Sequence, residues 1–140
     1  MAATPLGIDH VALACSDSKG TERFYGELLG LPIVASAEGV SEDWENRPWK
    51  VTCFALPSGA QLDFFRVEGF APARQAGWRA TVSHVALAVE SRAALEKWRA
   101  RLAEFGVAIA EEQDHGGGRH SLYVFDPNGH YLELTCRPER

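Results

Sequence analysis

The stretch His10-Val11-Ala12-Leu13-Ala14 occurs unchanged a second time, as His84-Val85-Ala86-Leu87-Ala88. Successive side chains of a β-strand point to opposite faces, so in each copy the histidine and the alanines share one face, and valine and leucine share the other. We expect a helix to cover the valine and leucine face. The small residues on the opposite face leave open space beside each histidine.

Two more pairs of segments repeat in the same order along the chain. Residues 30–33 resemble 106–109, and residues 57–64 resemble 127–134. Three ordered matches indicate two copies of one supersecondary unit. The copies are predicted at residues 1–68 and 81–140, with a linker over 69–80, and together they form one domain.

Each copy is predicted to contain one strand, one helix and three further strands. The first helix stops at Gly30, and the second runs from its N-cap Ser91 to Gly106. The first helix has three candidate N-caps: Ser16, Asp17 and Ser18. The later strands are expected at residues 31–36, 49–56, 60–67, 107–112, 119–125 and 130–136. The predicted fold class is therefore α+β, with two tandem βαβββ units forming a curved mixed sheet around a central cleft.

Residues 36–48 are polar and rich in turn-forming residues, and we interpret them as a long loop. A loop of that length in a small domain is either functional or mobile. Its Trp44 either covers a site or packs on the surface.

The composition excludes several classes of protein. With 46% hydrophobic and 24% charged residues, the chain is not expected to be disordered, and it contains no 18-residue apolar run that could span a membrane. Its net charge of −5 and the absence of a basic run argue against nucleic acid or an anionic membrane as partner. Three cysteines without CxxC spacing, and no secretory signal in the first residues, predict a reducing cytoplasmic location.

A histidine and a carboxylate occur together in each copy. His10 and His84 begin the first strand of each copy, and Asp63 and Glu133 lie in the last strands. Equivalent residues of two packed copies lie symmetrically about their shared axis, so these four side chains are expected to converge. Two imidazoles with one or two carboxylates are a ligand set for Fe(II), Mn, Ni or Zn. The alternative is a pair of hydrogen-bonded histidines and two solvated acids.

These motifs resemble a known family. The repeated strand, the helix end Arg23-Phe24-Tyr25-Gly26-Glu27-Leu28-Leu29-Gly30-Leu31 and the closing Asp126-Pro127-Asn128-Gly129-His130-Tyr131-Leu132-Glu133-Leu134 are similar to those of the vicinal oxygen chelate superfamily. This superfamily includes glyoxalase I, extradiol dioxygenases, fosfomycin-resistance enzymes and bleomycin-binding proteins. The resemblance covers nearly the whole chain. It implies a divalent metal held by His10, His84 and Glu133, and a homodimer.

Asp63 has two possible roles under this resemblance. It stands where glyoxalase I has a second glutamate ligand, but its side chain is shorter by one methylene, about 1.5 Å, against a tolerance of about 0.2 Å in metal–ligand distance. If Asp63 reaches the metal, two positions remain for adjacent substrate oxygens, and Asp63 takes part in catalysis. If it does not, two histidines and one carboxylate leave three positions, which suit a catechol and O₂.

Four residues near the end of the second copy have open roles. Tyr123 resembles a tyrosine that hydrogen-bonds substrate in extradiol and fosfomycin-resistance enzymes, or it only lines the sheet. His115 and His120 flank three glycines and are interpreted as surface-loop residues, with an acid–base histidine as the alternative. Arg119 is either solvated or contacts an anionic substrate.

The resemblance implies a metal-dependent enzyme that chelates adjacent oxygens of a small substrate and promotes proton transfer, as a glyoxalase-like lyase or isomerase. Two alternatives remain open. One is an extradiol ring-cleaving dioxygenase that uses Fe(II) or Mn(II) and O₂. The other is a metal-free resistance protein that binds an antibiotic.

Overall fold

The chain divides into two units, Met1–Pro72 and Ala73–Arg140. The structure, a computed structural model, describes residues 3–71 and 79–138. Most of the predicted linker, residues 72–78, lies outside the described residues.

The first unit follows the predicted βαβββ order. Its elements are β1 (His10–Ala14), α1 (Ser18–Thr21, continued by a π-helical segment Glu22–Leu28), β2 (Ile33–Ser41), a 3₁₀ turn (Glu42–Trp44), β3 (Arg47–Ala55) and β4 (Gln61–Val67). The strands form a sheet in the order β1-β4-β3-β2, in which β1 is parallel to β4 and the other neighbours are antiparallel.

The second unit repeats this arrangement. Its elements are α2 (Arg79–Val82), β5 (His84–Val89), α3 (Arg92–Glu104), β6 (Glu111–Gly116), β7 (Arg119–Phe125) and β8 (Tyr131–Cys136). The sheet order is β5-β8-β7-β6, with β5 parallel to β8. The α+β class and the repeated βαβββ order are confirmed. Within the described residues, no helix is long and apolar enough to span a lipid bilayer.

Both helices begin as the sequence predicts. Asp17 is the N-cap of α1, and its carboxylate accepts a hydrogen bond from the backbone N–H of Gly20 at 2.9 Å. Ser91 is the N-cap of α3, and its hydroxyl oxygen accepts a hydrogen bond from the backbone N–H of Ala94 at 3.1 Å. Gly106, with φ of 70°, follows α3 in the left-handed conformation that commonly ends a helix.

The first helix packs its aromatic side onto the sheet. Tyr25 and Phe54 are fully buried, and Phe64 is 1% exposed. The Tyr25 and Phe64 rings lie 4.3 Å apart between centroids, so helix and sheet share one aromatic core. In the second unit the helix buries Leu95 and Leu102 instead.

The prediction of a long loop at residues 36–48 is wrong. These residues belong to a hairpin in which β2 pairs with β3 up to Ser41 opposite Arg47, with only a short turn between them. Strand β2 is an edge strand, exposed along most of its length, so it needs no alternation of apolar and polar residues. Its polar composition therefore resembled that of a loop.

The strand predicted at 107–112 begins later, at Glu111. The N–H of Val107 still donates to the carbonyl of Leu102 at 2.9 Å, because it closes the end of α3. The first residues after the helix thus belong to the helix cap, and the pairing of β6 with β7 starts only after them.

A charged network ties α3 to the edge strand β6. Arg99 donates to Glu112 at 2.6 Å and to Glu96 at 2.9 Å. The buried His120 lies 2.8 Å from the same Glu112 carboxylate. Because Arg99 and then His120 stabilise the ionised form, the pKa of Glu112 falls to about 2 from its usual value near 4.5.

We expect this pKa to make Glu112 a source of acid sensitivity. A depressed folded-state pKa adds stability above pH 4.5 that is lost as the pH falls towards 2. The Glu112→Gln variant should therefore be less stable than the wild type at pH 7, and the gap between them should close between pH 5 and 2. Urea midpoints at several pH values measure this. Glu104→Gln, at an exposed position of α3, the helix that carries Arg99, is the control, and a gap independent of pH would contradict the prediction.

Candidate functional site

The face of the first sheet that carries His10 is open, as predicted. Along β1 the residues alternate between exposed and half-buried, with His10 on the exposed side. The parallel register places Ala12 beside Asp63, and Cys53 lies opposite Asp63 on the next strand. Thus His10, Asp63 and Cys53 share one face.

His10 is held through its Nδ1 atom. Nδ1 lies 2.8 Å from the Asp9 carboxylate, and this hydrogen bond raises the pKa of His10, with a smaller contribution from the charge of Asp63. The side chain is 51% exposed. With Nδ1–H donated to Asp9, Nε2 is the nitrogen that can bind a metal.

His84 repeats this arrangement in the second unit. Its Nδ1 lies 3.0 Å from the carbonyl of Thr81 and 3.1 Å from that of Val82. Its Nε2 lies 3.0 Å from an oxygen of Glu133. A backbone carbonyl that accepts from Nδ1–H fixes the tautomer in which Nε2 carries a lone pair, which is the usual state of a ligating histidine.

Glu133 is a buried carboxylate surrounded by polar groups. It is 2% exposed, and the Ser121 hydroxyl donates to its Oε1 at 2.5 Å. Arg119 lies 3.5 Å from the same oxygen. Burial alone favours the neutral acid, but hydrogen bonds, first that from Ser121, outweigh it, and the pKa of this carboxyl lies below its usual value.

Tyr123 lies directly opposite Glu133 in the strand register, as parity predicts. It is 7% exposed. Burial, and then the charge of Glu133, raise the pKa of its hydroxyl, so the group keeps its proton at neutral pH and acts as a hydrogen-bond donor.

The two histidines interpreted as surface-loop residues lie elsewhere. The Nε2 of His115 lies 3.0 Å from Ser121 Oγ, 3.4 Å from Tyr123 OH and 3.6 Å from Glu133. His120 is buried against Glu112. The strand register is irregular between Asp114 and Gly116, and this irregularity accompanies the position of His115 beside Glu133, which strand parity does not predict.

Sequence reasoning did not name Ser121 or Thr135 as site residues. Ser121 and Thr135 are register partners, with their hydroxyl oxygens 2.8 Å apart next to Glu133. Counting two residues along each strand from Tyr123 and Glu133 would have found both. Cys53 is the counterpart of Tyr123, since each lies opposite the carboxylate of its unit. Burial, and then a hydrogen bond to Asp63, raise the pKa of Cys53 to about 11.

The residues present fit a divalent ion. Two imidazoles present Nε2, and His84 Nε2 stands 3.0 Å from Glu133, close to the separation of two atoms bound at right angles to one ion at about 2.1 Å. Asp63 Oδ1 is buried and has no hydrogen-bond partner among the described residues, as expected of an oxygen that awaits a cation.

The four predicted ligands are found as one pair in each unit. His10 and Asp63 belong to the first unit, and His84 and Glu133 to the second. Within residues 3–71 and 79–138, no three His, Cys, Asp or Glu side chains are grouped closely enough to hold a metal ion. The convergence of both pairs on one ion therefore stays a prediction.

Residues 7–134 match the model of the Glyoxalase/Bleomycin resistance protein/Dioxygenase superfamily. The chain belongs to this superfamily. The resemblance carried by the repeated strand, the helix end and the closing motif is thereby confirmed.

Two curated relatives and one solved structure illustrate the similarity. The chain is 26% identical over 130 residues to the metallothiol transferase FosB of Bacillus licheniformis, covering 92% of this chain and 74% of that protein. It is 29% identical over 127 residues to the glutathione transferase FosA of Serratia marcescens, covering 91% and 78%. A glyoxylase/bleomycin resistance protein/dioxygenase domain from Frankia sp. EAN1pec matches with a TM-score of 0.78 at 23% identity, covering 97% and 95%.

Proposed function

We propose that this chain is a divalent-metal-dependent enzyme that binds a small substrate through two adjacent oxygen atoms and promotes proton transfer, as a lyase or isomerase of the glyoxalase type. One observation carries the proposal. In both units the histidine donates a hydrogen bond from Nδ1–H, over 2.8 Å in His10 and 3.0 Å in His84. In both units this histidine lies on the same sheet face as a carboxylate. This arrangement is typical of metal-binding histidines.

His10, His84 and Glu133 hold the ion in this proposal, with Asp63 as a fourth ligand or as the catalytic base. A divalent ion, Fe, Mn, Ni or Zn, supplies Lewis-acid polarisation of the substrate oxygens. The pairs come together from one chain or from two chains of a homodimer, and the protein acts in the cytoplasm.

The remaining polar residues orient the substrate. The Tyr123 hydroxyl keeps its proton and donates to a substrate oxygen. Arg119, which is 36% exposed, presents a guanidinium beside Glu133 and binds an anionic group of the substrate. In the role of base, Asp63 Oδ1, which has no hydrogen-bond partner among the described residues, would accept a proton from the carbon next to the adjacent substrate oxygens and return it.

A second candidate is the transfer of a thiol to a small anionic substrate. It is favoured by the names of both curated relatives, a metallothiol transferase and a glutathione transferase. The position of Arg119 beside Glu133 supports an anionic substrate in that case too.

Replacing His84 by alanine tests the metal site. We expect His84→Ala to lose most of its bound metal and its activity while it keeps the wild-type circular dichroism spectrum, because Nε2 is a ligand and the side chain is partly exposed. His130→Ala, a histidine in the turn before β8, is the control. Metal analysis of untagged protein measures the loss, and unchanged metal content in His84→Ala would remove this residue from the site.

Substrate panels separate the reaction classes. Anaerobic turnover of a hemithioacetal indicates the lyase. Oxygen consumption with catechols indicates the extradiol dioxygenase, and consumption of a thiol in the presence of a small anionic acceptor indicates the transferase. Tight binding of an antibiotic by protein without metal indicates the resistance protein.

A further inference from the structure

Three aromatic rings form a cluster on the first sheet, and none of them belongs to a predicted metal ligand or catalytic residue. Trp44 lies in the 3₁₀ turn, Trp49 on β3 and Phe65 on β4. The ring centroids of Trp44 and Trp49 are 5.9 Å apart, and those of Trp44 and Phe65 are 6.1 Å apart. Trp49 and Phe65 are 6.4 Å apart. We call these three residues the aromatic wall.

The aromatic wall lies on the same face as the candidate site. Phe65 follows Asp63 by two positions on β4, so both side chains point to one face, about 7 Å apart along the strand. Trp49 lies four residues before Cys53 on β3, which places both side chains on one face, about 13 Å apart along the strand. The wall therefore continues the open face that begins at His10 and Asp63.

The rings retain solvent-accessible surface. All three are half-buried, whereas the core rings Tyr25, Phe54 and Phe64 are almost completely buried. The wall is thus separate from the core on the opposite face of the sheet. Flat apolar surface that stays open beside convergent polar groups is typical of a ligand site.

The chain fixes the position of Trp44 through its backbone. The hydroxyl of Ser41 accepts a hydrogen bond from the N–H of Asp43 at 3.2 Å. Glu45 and Asn46 then take φ values of 54° and 57°, a conformation that residues with a side chain rarely adopt. This turn folds Trp44 back over Phe65 rather than into solvent.

We propose that the aromatic wall binds a flat, apolar end of the substrate, about 7–13 Å from the oxygens held near Asp63. This inference rests on the proposed function and names a substrate class for it, namely elongated molecules with adjacent oxygens at one end and a planar ring system at the other. Aromatic side chains bind planar rings by offset or edge-to-face stacking, which a saturated group satisfies less well.

Three hydroxamates test the inference, because each presents the same pair of adjacent oxygens. Acetohydroxamate carries a methyl group, cyclohexanecarbohydroxamate a saturated ring and 2-naphthohydroxamate a flat bicyclic ring. Titration calorimetry with Mn²⁺-loaded protein is expected to show 2-naphthohydroxamate binding at least about tenfold more tightly than acetohydroxamate, and more tightly than the cyclohexane compound. Equal affinities for all three overturn the inference.

Variants assign the preference to the wall. Trp44→Ala and Phe65→Leu should lose the preference for 2-naphthohydroxamate while they bind acetohydroxamate as the wild type does. Trp44→Phe should retain most of it. Trp98→Ala, which removes a tryptophan from α3 of the other unit, is the matched control. A preference that survives in both Trp44→Ala and Phe65→Leu overturns the assignment.

A measurement without metal separates this inference from the proposed function. If acetohydroxamate fails to bind in the presence of Mn²⁺, the proposed function is contradicted. The wall is then judged by titrating ¹⁵N-labelled protein with 2-naphthol. The indole N–H signals of Trp44 and Trp49 should shift and that of Trp98 should not. No shift, or equal shifts of all three signals, overturns the inference.

Discussion

Replacing Glu133 by glutamine is expected to weaken Mn²⁺ binding at least about 100-fold and to leave the fold intact. Glu133 is 2% exposed and ionised, and it lies 3.0 Å from Nε2 of His84, the predicted ligand nitrogen. Glutamine has nearly the same shape and keeps an oxygen that can accept from Ser121. It lacks the negative charge that makes a carboxylate a strong ligand for a divalent cation.

Electron paramagnetic resonance of free Mn²⁺ measures this affinity, and circular dichroism checks the fold. The matched control is Glu111→Gln. Glu111 lies opposite Tyr123 in the same sheet and accepts a hydrogen bond from Tyr131 at 3.1 Å, but it is not a predicted ligand. If both variants bind Mn²⁺ as the wild type does, Glu133 is not a ligand.

Replacing Phe64 by alanine is expected to lower the free energy of unfolding by about 3–5 kcal/mol. Phe64 is 1% exposed and packs against Tyr25 at 4.3 Å and Phe54 at 5.8 Å between ring centroids. Its removal leaves a cavity between α1 and the sheet, in the core that holds β4 and therefore Asp63 in place.

Urea unfolding followed by circular dichroism measures this loss. Phe70→Ala is the control in the same unit, because Phe70 is 45% exposed and its ring meets Arg47 at 4.5 Å. We expect that control to lose less than about 1 kcal/mol. Similar losses in the two variants would show that the aromatic core does not carry the stability of the first unit.

The fold could be predicted because its key strands are amphipathic. In the repeated strand, His10 lies on the exposed side while Val11 is half-buried, and this alternation gives the strand a period of two that sequence alone reveals. Edge strand β2 lacks this constraint, since most of it is exposed on both faces. Its polar residues therefore could not be distinguished from a loop.

The candidate site was predictable only where strands are regular. Parity places Tyr123 and Glu133 on one face, and the register bears this out. His115 lies at the irregularity in β6, where the alternation of faces no longer applies. Its position beside Glu133 is evident only from the structure, in which it contacts Ser121 at 3.0 Å. Whether His10 meets His84 depends on how whole units pack, which the alternation of single strands does not encode.

Anomalous diffraction from crystals grown with Mn²⁺ or Zn²⁺ tests whether His84 and Glu133 bind one metal ion. We expect one strong peak within about 2.3 Å of His84 Nε2 and of a Glu133 oxygen, with His10 Nε2 from the same chain or a second chain as a further ligand. A metal peak away from both His84 and Glu133, or none at millimolar metal, would contradict it.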